Sequence, residues 1–391
     1  MSLPLLFTPL EIREARLKNR IVIAPMHQYS AKKGHVTDWH LVNAGRYAVG
    51  GAAVVMMEST KVARNGCGTV GDTALWDDSF IDGMARCASF IKSNNALAAI
   101  QLGHSGRKAR LTRPWEGGRP LQGDEAEIWD WDGWELVAPS AVAHSELAAM
   151  PRALSHNEIG EMVASWGRAA ERAEKAGFDI LEIHGAHGYL VHQFLSPASN
   201  IRTDEYGGTE HNRMRFALEV AECIRAAWPA SKPLFMRLSC EDDAGFGPEQ
   251  AVNLSRELKL RGVDVIDCSS GGTLTSSPMN AKRANTYGYQ VPYADQIRRE
   301  AEMMTMAVGH IVHADQAEAI LQEGKADLVA LAREVMYNPN WPMDAAQKLG
   351  VDPEFELVPP PYQYWLAKRA KSSFDGVPST WRPGEARVGE I

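Results

Sequence analysis

Eight short apolar segments recur along this chain, and each is followed by a stretch with helical character. Most are continuous apolar runs of four or five residues, which is typical of strands buried on both faces of a parallel sheet. The predicted strands cover residues 20–24, 53–57, 98–102, 180–183, 234–238, 265–268, 304–308 and 328–331. Eight alternations of strand and helix predict an α/β protein with a (β/α)8 TIM barrel.

The helical stretches carry recognisable ends. The clearest covers residues 155–176, with Ser155 as the N-cap, Glu158 three residues later and Gly177 beyond its end. Two further helices, each closed by a glycine, are predicted over residues 251–261 and 315–323. A doubly wound sheet is the alternative architecture, but the count of strands reaches eight and no Gly-x-Gly-x-x-Gly motif follows the first strand.

Two segments lie outside this regular alternation. An excursion over residues 103–151 separates the third and fourth predicted strands, and its tryptophans could line a pocket, form a subunit contact or shield the barrel. A C-terminal extension over residues 351–391 contains three consecutive prolines, 359–361, which predict an extended segment, followed by an aromatic cluster. We therefore expect one barrel domain over residues 1–350 and an extension over residues 351–391.

Composition narrows the classes of function. The net charge of −8 argues against nucleic acid as the main partner, because phosphate binding needs clustered cations. No run of about 20 apolar residues predicts a membrane span, and the N-terminus lacks the cationic start of a signal peptide. The five cysteines are scattered without a Cys-x-x-Cys pair, so no metal site is predicted, and reduced thiols in a cytoplasmic protein are expected.

Three groups able to act on a carbonyl compound follow the fourth predicted strand. His184, His187 and Tyr189 lie within six residues, next to two glycines. Imidazoles can donate hydrogen bonds to a substrate oxygen, and a phenol can deliver a proton to the neighbouring carbon. The alternative is that the histidines are ordinary loop residues whose ring nitrogens are bonded by the backbone.

Other polar residues are expected at the same rim, because the carboxyl ends of barrel strands meet on one face. Gly309 and Arg333 follow the last two strands, where barrels often bind a phosphate through close backbone approach and a guanidinium fork. Arg237 needs an anionic or electron-rich partner, which could also be a carboxylate of the protein itself. Gln101 can donate and accept side by side, which suits the edge of a heterocycle.

Longer motifs then resemble a known family. The chain resembles the Old Yellow Enzyme family of FMN-dependent ene-reductases, in particular the bacterial branch of xenobiotic reductases and thermophilic-type ene-reductases. The resemblance covers nearly the whole chain and is most specific between residues 184 and 208. Its landmarks are residues 19–26, 101–108, 184–190, 194–197, 200–208 and 326–329.

The resemblance implies one non-covalent FMN over the mouth of the barrel. It implies that Pro25, Met26 and Ser59 lie along the isoalloxazine. It places Gln101 at the pyrimidine edge of the ring, and Arg237 near N1 and O2. Gly309 and Arg333 are then expected to hold the phosphate.

The same resemblance implies a ping-pong reaction. NADPH or NADH reduces the flavin, and an α,β-unsaturated carbonyl compound then accepts the hydride at its C=C bond. His184 and His187 are implied to bind the carbonyl oxygen, and Tyr189 to protonate the α-carbon. Other chemistry on the same scaffold is the alternative: a dehydrogenase or desaturase, a demethylase, or a reductase of nitro compounds or biosynthetic intermediates.

The chain departs from the family pattern at a few positions. His27 stands near the flavin and the substrate where this branch commonly has a cysteine, which predicts a changed flavin potential and a reshaped pocket. Tyr29 keeps its usual place as a substrate contact. Ala332 precedes Arg333 where many relatives have glycine, and Val308 occupies the place of a tryptophan.

The C-terminal aromatic cluster resembles a segment that relatives send into the neighbouring subunit's active site. Trp365 is therefore a candidate for the substrate pocket wall in a homodimer or higher homo-oligomer. Packing within its own chain is the alternative.

Overall fold

A closed barrel of eight parallel strands organises the part of the chain that the computed structural model describes, which is residues 3–125, 127–273 and 286–371. Its strands are neighbours in the order β3-β4-β5-β8-β9-β10-β11-β12, and β12 pairs back with β3. The described strands are β1 (Leu10–Ile12), β2 (Ala15–Leu17), β3 (Ile21–Ile23), β4 (Val54–Lys61), β5 (Leu97–Gly103), β6 (Val137–Ala138), β7 (Arg152–Ala153), β8 (Ile180–Gly185), β9 (Leu234–Ser239), β10 (Val265–Ser269), β11 (Met304–Ala307) and β12 (Leu328–Leu331).

Helices follow the barrel strands. The described helices are α1 (Asp38–Val49), α2 (Ile81–Ser93), α3 (His156–Lys175), α4 (Leu190–Leu195), α5 (Glu210–Ala227), α6 (Pro248–Leu260), α7 (Val291–Glu300), α8 (Ala314–Gln322), α9 (Arg333–Tyr337), α10 (Trp341–Lys348) and α11 (Pro360–Ala370). One apolar cluster fills the barrel and includes Val54, Phe235 and Met306. A second, larger cluster lies between the strands and the helices, so the strands are buried on both faces.

The predicted (β/α)8 barrel is confirmed, and each of its eight strands lies where the apolar runs predict it. The capping signal of α3 is also confirmed: the Ser155 hydroxyl accepts the N–H of Glu158, and the Glu158 carboxylate accepts the N–H of Ser155.

Two local predictions are wrong. Helix α6 begins at Pro248, three residues before the predicted start, because proline is favoured in the first turn of a helix. The prediction of an extended segment over residues 359–361 is wrong for the same reason. Pro359 is extended, but Pro360 and Pro361 form the first turn of α11.

The excursion between β5 and α3 covers the segment that follows β4. Trp134 is fully buried, and its indole N–H donates to the carbonyl of Cys67 at 2.8 Å. The Arg64 guanidinium lies 4.0 Å from the ring centres of both Trp129 and Trp134. The excursion therefore shields this side of the barrel, which is one of the three roles that the sequence analysis leaves open.

None of the helices in the described residues is long and apolar enough to cross a bilayer. The five cysteines are free thiols, and all but Cys223 are buried.

Candidate active site

His184, His187 and Tyr189 come together at the carboxyl end of β8. The rings of His184 and His187 lie 5.2 Å apart and perpendicular, and the Tyr189 ring lies 4.8 Å from that of His184. His184 lies near the end of β8 and His187 and Tyr189 in the turn that follows Gly185, so all three are at the end of the strand that forms the mouth of the barrel. The spacing in the sequence therefore corresponds to one compact cluster.

His184 is held as a neutral imidazole. Its Nδ1 accepts the N–H of Ala186 at 3.2 Å, so the ring proton is on Nε2, which is left for a ligand. Burial lowers the pKa of His184 well below its usual value, and the nearby His187 and Arg237 lower it further. His184 is thus a hydrogen-bond donor without net charge.

His187 is fixed by its backbone and by two serines. Its φ of 60° is unusual for a residue with a side chain, and its N–H donates to Ser239 Oγ at 2.9 Å. Its Nε2 lies 2.8 Å from Ser269 Oγ. Burial, together with Arg237, lowers the pKa of His187 well below its usual value. One ring nitrogen of each histidine therefore has a protein partner, as expected for ordinary loop residues. The other ring nitrogen of each is left for a ligand.

The loop after β3 brings His27 and Tyr29 to the same cluster. The two rings stack at 5.2 Å, and the His27 ring meets that of Tyr189 edge-on at 6.2 Å. Burial lowers the pKa of His27 to about 4, and the positive charge of Lys61 contributes. The imidazole at the position usually taken by cysteine is therefore neutral near pH 7. From the excursion, the Trp115 ring contacts that of Tyr29 at 5.6 Å.

Gln101 and Arg237 lie deeper, on the inner wall of the barrel. The Gln101 amide donates to Glu182 Oε1 at 2.8 Å. Arg237 Nε lies 3.3 Å from Asp267 Oδ2, so a protein carboxylate is one partner of this guanidinium, and its contact with the flavin stays a prediction. Burial raises the pKa of both Glu182 and Asp267, and the positive charge of Arg237 opposes that rise.

Next to this wall lies a cavity of about 350 Å³, lined among others by Arg237, Val308, Gly309 and Arg333. Gly309 has a φ of 108°, and a Cβ there would lie only 2.8 Å from Gln290 Oε1. A glycine with left-handed backbone and two guanidinium groups around one cavity suit a phosphate and the electron-rich edge of a flavin. The lining of this cavity therefore has the chemistry that the phosphate and the ring of FMN need, and which residues contact FMN stays a prediction.

The other predicted flavin contacts lie at the same mouth. Pro25 and Met26 are half-buried in the loop after β3. Ser59 is buried on β4, and its Oγ accepts a hydrogen bond from Lys61 at 3.2 Å. Trp365 is different, because it lies on α11 with 66% of its surface exposed and is not brought to the site of its own chain.

Two charged residues at this mouth, Lys61 and Asp72, are absent from the sequence-based prediction. Lys61 is the last residue of β4 and is fully buried, with its Nζ 3.4 Å from Asp72 Oδ2. The Lys61 ammonium also lies 5.1 Å from the centre of the Tyr189 ring. The sequence offers one signal for Lys61: a lysine stands shortly after the apolar run that predicts the second strand.

Known proteins with similar sequences are flavin and nicotinamide oxidoreductases. Residues 5–352 match the NADH:flavin oxidoreductase / NADH oxidase family. An NADPH dehydrogenase of Geobacillus sp. (strain WCH70) is 42% identical over 350 residues, which are 88% of this chain and 95% of that protein. An NADPH dehydrogenase of Bacillus cytotoxicus is 41% identical over 365 residues, 92% of this chain and 95% of the relative.

Solved structures share the fold. Morphinone reductase in complex with tetrahydroNAD matches with a TM-score of 0.70 and 27% identity, over 88% of this chain and 91% of that one. The Old Yellow Enzyme homologue from Zymomonas mobilis matches with a TM-score of 0.69 and 25% identity, over 88% and 92%.

A 2-naphthoyl-CoA reductase in complex with 2-naphthoyl-CoA matches with a TM-score of 0.78 and 25% identity over 88% of this chain. The match spans only 52% of that reductase, about half its length. The chain belongs to the NADH:flavin oxidoreductase / NADH oxidase family, and it is an oxidoreductase that works with FMN and a nicotinamide donor.

Proposed function

We propose that this protein reduces the C=C bond of α,β-unsaturated carbonyl compounds, with NADPH or NADH as the electron source. The observation that carries the proposal is the cluster of two neutral imidazoles and a phenol at the barrel mouth. His184 and His187 are 5.2 Å apart, close enough to bind one oxygen atom between them, and Tyr189 lies beside them. FMN, when bound, supplies the hydride.

The protein's own residues supply polarisation and a proton. A carbonyl oxygen gains negative charge as its β-carbon accepts a hydride, and hydrogen bonds from His184 and His187 stabilise that charge. Because both imidazoles are neutral, they act as donors without releasing a proton to the oxygen. Tyr189 then protonates the α-carbon, and its raised pKa keeps the phenol protonated until that moment.

The names of similar proteins support the donor and the reaction class. The NADPH dehydrogenases favour NADPH, and the likeness to morphinone reductase and to an Old Yellow Enzyme homologue favours reduction of a carbonyl-conjugated alkene. An alternative is other chemistry on the same scaffold, such as dehydrogenation, demethylation or nitro reduction. His27 in place of the usual cysteine favours this alternative, because it changes both the volume and the hydrogen bonding of the pocket.

Anaerobic stopped-flow kinetics tests the proposal. We expect the NADPH-reduced protein to be reoxidised by 2-cyclohexenone and by maleimide, with the flavin absorbance returning in each case. Tyr189→Phe should slow reoxidation by 2-cyclohexenone and leave reduction by NADPH nearly unchanged. If neither alkene reoxidises the protein, ene-reduction fails and the alternative chemistry gains support. Equal losses in both half-reactions of Tyr189→Phe would contradict proton donation.

We also propose that the active form is a homodimer in which α11 contacts the partner subunit. Against the residues that the structure describes, helix α11 has no fully buried residue, and it exposes Tyr362, Tyr364 and Trp365. An 11-residue helix is marginal in water on its own, so an apolar surface elsewhere must stabilise it. This arrangement would give Trp365 the place in a substrate pocket that the sequence predicts.

A further inference from the structure

Lys61 is a buried ammonium group that the proposed chemistry leaves without a role. It ends β4 with no exposed surface, although lysine is rarely fully buried unless it is paired. The pairing of β4 with β5 shifts its register between Met57 and Thr60. Such a shift interrupts the in-and-out alternation of side chains, and the Lys61 ammonium then meets Ser59 and Tyr189 at the barrel mouth.

The partner of Lys61 is an aspartate that is held in place as a carboxylate. Asp72 Oδ2 accepts the N–H of Gly68 at 2.7 Å and lies 3.4 Å from Lys61 Nζ. Asp72 Oδ1 accepts the hydroxyl of Thr69 at 2.7 Å. Burial alone would raise the pKa of Asp72, but Lys61, His27 and these hydrogen bonds outweigh burial and lower it. A fixed negative charge is therefore present near Tyr189.

That negative charge opposes ionisation of Tyr189. Burial is the largest cause of the raised Tyr189 pKa, and Tyr29 and Asp72 raise it further. The other titratable groups around the phenol are His27 and His184, whose rings are neutral, and Lys108, whose Nζ lies 6.0 Å from the ring centre. Lys108 donates to the carbonyls of His187 and Gly272, so its position is fixed by the backbone.

We propose that Lys61 is a positioning residue for proton donation, which neutralises Asp72 beside Tyr189 and so eases release of the Tyr189 hydroxyl proton. This inference rests on the proposed function, in which Tyr189 protonates the substrate. In that step the O–H bond of Tyr189 breaks as a C–H bond forms at the α-carbon of the enolate. The electron pair stays on the Tyr189 oxygen, and water returns a proton before the next turnover.

The geometry supports a role through charge. The Lys61 ammonium lies 3.4 Å from the Asp72 carboxylate and 5.1 Å from the centre of the Tyr189 ring; Lys61 and Asp72 are buried, and Tyr189 is half-buried. Charges interact strongly where water is excluded, because the effective dielectric constant is low. Without the ammonium, Asp72 would act unopposed on the forming phenolate.

The first test measures Tyr189 itself and needs no turnover. The protein, with FMN bound, is labelled with 3,5-difluorotyrosine, and Tyr189→Phe identifies its signal among those of the 10 tyrosines by ¹⁹F NMR. Lys61→Met should raise the pH midpoint of the Tyr189 titration by about one unit or more, equivalent to at least tenfold in acidity. Lys61→Arg should keep the midpoint near that of the parent. Asp72→Asn, which removes the negative charge, should lower it.

The second test follows reoxidation by 2-cyclohexenone. Lys61→Met should slow it at least about tenfold, and combining Lys61→Met with Asp72→Asn should recover much of the loss because the pair is again neutral. In the Tyr189→Phe background, Lys61→Met should have no further effect.

An unchanged Tyr189 midpoint in folded Lys61→Met would overturn the inference, as would a double variant as slow as Lys61→Met. If Lys61→Met does not fold, a midpoint in Asp72→Asn that equals or exceeds that of the parent overturns it. If the parent protein does not react with 2-cyclohexenone, the proposed function fails, and the Tyr189 titration still decides the inference about Lys61.

Discussion

Burial fixes the charge state of the histidines at the barrel mouth. For His27 burial decides a question that the sequence leaves open, namely whether this imidazole is neutral or protonated. The two forms would shift a flavin potential in opposite directions. With a pKa of about 4, His27 is neutral at pH 7 and acts on the site through its size and its ring nitrogens. We therefore expect little electrostatic effect of His27 on the flavin.

The charge state of His27 can be measured directly. We expect its Cε1–H signal in NMR, assigned by its loss in His27→Gln, to titrate near pH 4 and to stay constant between pH 6 and 8. The unfolded chain binds this proton near pH 6.5. The stability that a neutral His27 contributes is thus complete above pH 6.5 and is lost as the pH falls toward 4. A midpoint near 6.5 in the folded protein would show that water reaches this imidazole and would contradict a neutral, buried His27.

Replacement of the two histidines at the carboxyl end of β8 tests the oxygen-binding site. Phenols that resemble an enolate should bind the oxidised protein and give a long-wavelength charge-transfer band. Changing both His184 and His187 to alanine should weaken this binding by roughly 2–4 kcal/mol, because two donors to an anionic oxygen are lost. His211→Ala, an exposed change on α5, is the control and should leave the titration unchanged. Unchanged phenol binding in the double variant would remove both histidines from this role.

At the scale of elements, the sequence predicts regular structure well and irregular structure poorly. The eight apolar runs locate the barrel strands because burial on both faces demands such runs. Nothing in the sequence marks the register shift within β4, so the predicted strand ends at residue 57 and Lys61 lies outside both the strand and the predicted site. Asp72 is missed because it follows an irregular loop, and its approach to Lys61 depends on tertiary contacts. The first turn of α11 is missed because consecutive prolines suit an extended chain as well as a helix start.

The loop after β11 offers a test of the phosphate site. Gly309→Ala places a methyl group where the backbone is left-handed and where Gln290 lies only 2.8 Å away. Strained backbone and contact together cost about 1–3 kcal/mol, so FMN affinity should fall by roughly 5- to 150-fold. The measurement is a fluorescence titration of the apoprotein with FMN.

Gly160→Ala is the matched control, because a Cβ at this position in α3 meets no atom within 4 Å. It should leave FMN affinity unchanged and stabilise the helix by about 0.5–1 kcal/mol. Equal FMN affinity in the two variants would place the phosphate elsewhere.

At the scale of the whole molecule, exposed large apolar side chains indicate an interface between subunits only where they form a cluster. Leu260 is 79% exposed at the end of α6 as a single apolar residue, which is ordinary for a protein surface. On α11, by contrast, Tyr362, Tyr364 and Trp365 are each more than half exposed within four residues, on a helix with no fully buried residue in the described part of the chain. Aromatic clusters of this kind are typical of interfaces between subunits.

The oligomeric state therefore provides the last prediction. The parent protein should sediment as a dimer, and Trp365→Ala should weaken the dimer by about 2 kcal/mol, roughly thirtyfold in dissociation constant, because it removes a central aromatic contact. If the partner's Trp365 lines the pocket, the same variant should raise KM for 2-cyclohexenone at concentrations where it is still dimeric. Leu260→Ser, which removes an apolar side chain that is even more exposed, should change neither quantity. A monomeric parent protein, or a Trp365→Ala variant that dimerises as tightly as the parent, would return Trp365 to the surface of its own chain.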